Sequence, residues 1–151
     1  MGSAEALTTT TFSVSGIETG VGPGESMFAG TAAGATSAGT WKADVLRTAL
    51  SPNGTILGGS FSMTLLSAGG TTQVGGDFAH GGTITQTVAG LPCSNQKYLV
   101  SDSLENVVFG STSGGTGTFL VTLIHYRTFV PFVGCVTYFA SVKGAVTLSS
   151  G

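Results

Sequence analysis

From residue 118 to residue 128 the chain alternates. Phe119, Val121, Leu123, His125 and Arg127 fall on one side, with Thr118, Leu120, Thr122, Ile124 and Tyr126 on the other. This is the period-two pattern of a β-strand. After a turn-like segment at 129–134 that contains Pro131, a return strand sets Val136, Tyr138, Ala140, Val142, Val146 and Leu148 against Thr137, Phe139, Ser141, Lys143 and Thr147. The β-branched content is high and no 3.6-residue apolar stripe survives the glycines, which argues against a helix. Residues 114–149 are therefore expected to form one long hairpin, with shorter upstream strands joining the same sheet.

Upstream, residues 1–9 read as a frayed lead-in and 10–151 as a single domain. Strands are expected at 10–17, 26–33, 40–50, 55–67, 73–80, 83–88 and 97–109, the last with a break near Asp102 and Ser103. Gly20, Gly22, Pro23 and Gly24 make 18–25 a loop, and 34–39 is another. In 40–50, Trp41, Ala43, Val45, Arg47 and Ala49 share a face opposite Lys42, Asp44 and Leu46. Ser51, Pro52, Asn53 and Gly54 then read as a turn, and Gly58–Gly59 as a bulge. About eight or nine strands, spaced roughly 8–15 residues apart, define the class. It is all-β, a single antiparallel barrel of about eight strands, with a two-sheet sandwich as the alternative.

Composition narrows this. Charged residues make up 8% of the 151-residue chain, against about 25% in an average soluble domain. The 41% hydrophobic content nevertheless argues against disorder, so the exposed faces are Thr- and Ser-rich. A net charge of −2 offers no basic stripe for nucleic acid. No apolar run reaches the ~20 residues of a membrane-spanning helix. Met1, Gly2 and Ser3 read as an appended start ahead of a mature N-terminus, from which an export signal has been removed. Cys93 and Cys135 suggest one disulfide in an oxidising compartment, the alternative being two buried thiols. A secreted or periplasmic location is expected.

The run GGTGTF at 114–119, followed by a strand, a loop and VTYFASVKGAV at 136–146, resembles the C-terminal part of dirigent proteins and the wider allene-oxide-cyclase-like barrel family. The likeness covers about the last 40 residues; the acidic pocket residues of dirigent proteins have no match upstream. It implies an eight-stranded antiparallel barrel, often oligomeric, whose hydrophobic cavity binds small apolar or phenolic molecules. In some members it implies cyclisation or coupling without a cofactor. Independently of the likeness, Gly114, Gly115 and Gly117 supply positive φ or close backbone approach at a bend into the next strand.

Catalytic patterns are sparse. There is no G-x-S-x-G elbow. With only His80 and His125, there is no His-rich metal site either; no metal and no cofactor is expected. Arg47, His125 and Arg127 continue apolar faces. If these faces point inward, the three residues are polar anchors at a cavity mouth, with His125 the candidate catalytic proton donor or acceptor. If not, they snorkel into water at strand ends. Asp77 and His80 belong to a surface loop, Lys42 and Asp44 form a solvated ion pair, and Asn53–Gly54–Thr55 is either a glycosylation sequon or a tight turn.

The leading expectation is binding of a small hydrophobic molecule, with Trp41, Phe119, Leu123 and Tyr138 as walls and Arg47, His125 and Arg127 as anchors. The alternatives are a cofactor-free cyclase or isomerase, and a structural or adhesive protein with a filled core. Large apolar residues on the second face of the hairpin, Leu120, Ile124 and Tyr126, point to a homo-oligomer.

Overall fold

A computed structural model describes residues 9–49, 53–88 and 91–149. The expected lead-in up to residue 8, and Ser51 and Pro52 of the expected turn, lie outside the described residues. The strands are β1 (Thr9–Gly22), β2 (Glu25–Ala33), β3 (Ala38–Arg47), β4 (Asn53–Ser67), β5 (Gly70–Phe78), β6 (Thr83–Val88), β7 (Gln96–Phe109), β8 (Thr112–Val130) and β9 (Gly134–Ser149). All pairings are antiparallel. The order β3-β2-β1-β9-β8-β7-β5-β4 closes through β3–β4, so the fold is an eight-stranded barrel and not a sandwich. β6 lies outside that ring of pairings. It continues the line of β5 between β4 and β7, pairing with Asn53–Thr55 on one side and with Lys97–Ser101 on the other.

Several strand bounds differ from the sequence expectation: β3 ends at Arg47, β5 spans Gly70–Phe78 and leaves His80 beyond it, and two further differences bear on the site. β1 runs on through Gly20, Val21 and Gly22, which pair with Met27, Ser26 and Glu25 around a Pro23–Gly24 turn. Glycine is poor in strands but does not forbid them, and the pairing keeps Glu18 inside the sheet. β7 runs unbroken through Asp102 and Ser103, both paired with β8. The Gly58–Gly59 bulge is present: Leu46 pairs with Gly58 and Arg47 with Ile56, leaving Leu57 over. The GGTG glycines also act as expected. Gly114 has φ +76°, and a side chain at Gly115 or Gly117 would stand 2.7 or 2.6 Å from the β9 carbonyls of Ser149 and Thr147.

The inward faces are apolar and meet across the axis. Trp41 (β3), Phe61 (β4), Phe78 (β5) and Phe119 (β8) are all buried, with ring centroids 5.1–6.5 Å apart in five pairs, the range of favourable edge and offset contacts. β3, β4 and β5 are neighbours in the ring and β8 lies across it from β3, so the contacts of Phe119 with Trp41 and Phe61 span the axis, which is filled by side chains at this level. Trp41 reaches two strands away, donating from Nε1 to the Ser15 carbonyl at 3.1 Å. Gly30 and Gly16 stand between them in register. The disulfide joins Cys93, in the turn before β7, to Cys135 at the start of β9.

Candidate functional site

Polar groups face inward at one end of the barrel, where β1, β3 and β8 finish and β2 and β7 begin. Arg47 is the last residue of β3 and keeps the inward phase of Trp41, Ala43 and Val45. Its Nε donates to Ser26 Oγ at 2.8 Å, and its terminal nitrogens donate to the carbonyls of Thr48, Gly22 and Glu25 at 3.1–3.3 Å. The guanidinium therefore clamps the β1–β2 turn. Burial lowers its pKa, and the nearby Glu18 carboxylate opposes that shift. Glu18 itself points inward from β1 and pairs with His125 of β8, Nε2 to Oε1 at 3.1 Å, with both side chains at least nine-tenths buried. The second oxygen, Oε2, is buried without a hydrogen-bond partner. Tyr98 of β7 lies edge-on to the imidazole at 5.4 Å and donates its hydroxyl to Gln96 Oε1. A carboxylate, an imidazole and a guanidinium thus lie buried at the same end of the barrel. Together they can hold a ligand hydroxyl, carbonyl or amide, and His125 can exchange a proton with it.

A second polar feature lies in the wall. Asp102 faces inward from β7 and is 8% exposed. Its Oδ1 accepts the Ser103 N–H at 2.8 Å, while Oδ2 is buried without a partner. Loss of solvation pushes its pKa up to about 6, with Glu105 adding to the rise and the Ser103 N–H and His80 opposing it. It lines a solvent-open cleft of about 590 Å³ between the 79–82 segment, β7 and β8.

The residues singled out from the sequence divide three ways. Arg47 and His125 do come together at one end, and Leu123 lies buried one inward position below His125. Trp41 and Phe119 point inward but pack against each other and against Phe61, so they fill the axis instead of walling a cavity on it. Tyr138 leaves the interior, and Arg127 is half-buried two residues past His125 on β8. The β8–β9 register shifts between Tyr126 and Arg127, with Tyr126 opposite Phe139 and Arg127 opposite Thr137. Tyr138 is the surplus residue of that bulge and turns outward, 66% exposed. Arg127 lies beyond the same shift, its backbone N–H bonded to Asn95 Oδ1 at 3.3 Å.

Elsewhere, Asp77 accepts a hydrogen bond from Asn106 and not from His80. Lys42 and Asp44 share the outer face but form no salt bridge. Asp44 sits instead beside Glu25, whose pKa is raised by a hydrogen bond to Asp44 and by its charge. Asn53 and Gly54 belong to β4.

Sequence reasoning missed Glu18 and Asp102. Glu18 was hidden by the glycines that follow it, although it continues the alternation of Phe12, Val14 and Gly16. Asp102 and Ser103 are polar neighbours that mimic a break, although Asp102 continues the alternation of Tyr98 and Val100. Among the described residues no three His, Cys, Asp or Glu side chains gather as a metal site. No helix among the described residues is long and apolar enough to cross a membrane. Comparison with protein-family models, curated proteins and solved structures returns no match.

Proposed function

We propose that this protein is an exported barrel that binds a small, largely apolar molecule at the end carrying Glu18, Arg47 and His125. The observation that carries the reading is the Glu18–His125 pair with its unpartnered Oε2. A buried acceptor left unmade costs about 1–3 kcal/mol, and a ligand hydroxyl or amide would recover it. Val45, Leu123 and Ala140, all buried beside the polar residues, supply apolar contact. The ligand would sit at this end and not deep on the axis, because the four-ring cluster fills the level below. Export is supported by the Cys93–Cys135 disulfide. Homo-oligomerisation is supported by the outward Leu120, Tyr138 and Phe139, which are 45–66% exposed. The cyclase alternative would use the same pair, with His125 moving the proton.

Native mass spectrometry tests the reading. Wild type is expected to carry or take up an apolar adduct, and Glu18→Ala to lose it. A bare chain that also fails to take up a hydrophobic fluorophore would overturn it. That result would favour the second reading, a structural or adhesive barrel, which the filled aromatic axis already supports.

A further inference from the structure

The wall of the barrel is interrupted at one place between β4 and β7. Phe78 pairs with Leu104 and Thr83 with Ser101, so the four residues 79–82 face only Asp102 and Ser103. Two surplus residues cannot stay in the ladder, and the cleft lies beside them. The segment is tied back on both sides. Ala79 N–H donates to the Ser103 carbonyl, Gly81 N–H to the Ile56 carbonyl, and Ile56 N–H to the Gly82 carbonyl, all at 2.8–3.0 Å. Gly82 lies directly over the Asp102 carboxyl, and any β-carbon there would collide with it. The opening is thus held by hydrogen bonds, and it is lined by Asp102, a residue 8% exposed whose Oδ2 is buried without a partner.

We infer that this cleft is a binding site for a small organic ammonium ion, with Asp102 Oδ2 as its counter-ion. An ammonium supplies both things the carboxylate lacks, an N–H donor and a positive charge, and charge-assisted hydrogen bonds are the strong ones. A neutral hydroxyl would supply only the first. An anion would be repelled by Asp102 and by Glu105 on the same strand. A metal ion would ask for several more hard ligands, and among the described residues no such cluster exists. An ammonium carries three N–H donors, and Thr83, Ser101 and Ser103 also line the cleft. Leu120, 48% exposed at its edge, offers apolar contact to the carbon part of the ligand. The ionisable groups near Asp102 are His80 and Glu105; the β8 lining, Thr118, Phe119 and Leu120, carries none. This site is separate from the barrel-end site and does not depend on it.

The test compares 2-phenylethylamine with 2-phenylethanol, matched in shape and differing in charge, by calorimetry on the full chain. The amine is expected to bind and the alcohol to bind at least tenfold more weakly. Affinity should fall about tenfold between about pH 7.5 and about pH 5, as protonation of Asp102 removes the counter-ion. His80→Gln should keep that dependence, assigning it to Asp102. Asp102→Asn should abolish amine binding while unfolding as cooperatively as wild type. Equal binding of amine and alcohol, no binding of the amine, or full amine affinity in Asp102→Asn would each overturn the inference.

Discussion

Glu18 and Asp102 are both carboxylates turned into a barrel lined mostly with apolar side chains, yet the chain treats them differently. Glu18 meets an imidazole at 3.1 Å and lies near a guanidinium. Asp102 meets one backbone N–H and is bonded to no cation, and its pKa rises to about 6 although His80 opposes the shift. Each keeps one oxygen unpartnered. A buried charge is tolerated where partners converge, as at the barrel end, or where the wall opens enough to let solvent share its field, as at the cleft. The first arrangement contributes structure when intact and is costly to break. The second is destabilising when ionised.

The largest separation of the two regions should come from reducing the Cys93–Cys135 bond, which staples the end that holds Glu18 and His125. Closing this loop contributes about 4 kcal/mol in the chain-entropy model. Urea unfolding with and without reductant should show that loss, while ammonium binding at the cleft persists below the transition. Next, His125→Ala should cost about 3 kcal/mol by leaving Glu18 buried and unpaired. Adding Glu18→Gln should restore part of it, a coupling that a double-mutant cycle reads directly.

The Asp102 effect runs the other way. Its folded pKa is raised, so the folded state binds more protons between the unfolded value near pH 4 and pH 6, and stability falls as pH rises through that window. Above it the ionised group costs about 1–2 kcal/mol, allowing for screening at the open cleft. Asp102→Asn should therefore be more stable than wild type at pH 7, and the advantage should vanish near pH 4. The smallest effect lies outside both regions, at the β8–β9 tip. Phe132 is fully exposed there at φ +66°. Phe132→Gly should gain up to about 1 kcal/mol in urea unfolding by relieving the left-handed backbone, without changing the pH profile.

Much of this architecture is legible in the chain because alternation survives wherever a strand is regular. Phe119, Val121, Leu123 and His125 line up inward as their spacing requires, and Trp41, Ala43, Val45 and Arg47 do the same. What alternation does not reveal is where one residue is added. The bulge at Tyr138 flips a side chain from wall to surface. Filling of the axis was also hidden, since it depends on Trp41, Phe61, Phe78 and Phe119 arriving from different strands at one height. The partnership of Glu18 with His125 spans 107 residues, and no local pattern reports it.

The most direct test of the contrast is a carbon-13 NMR titration of the side-chain carboxyls, with and without 2-phenylethylamine. The Asp102 resonance is expected to titrate near pH 6 in the free protein and to move to lower pH when the amine is bound. An Asp102 carboxyl titrating near the ordinary value of about 3.9, unmoved by amine, would mean that it is neither desolvated nor a counter-ion, and the contrast with Glu18 would fall.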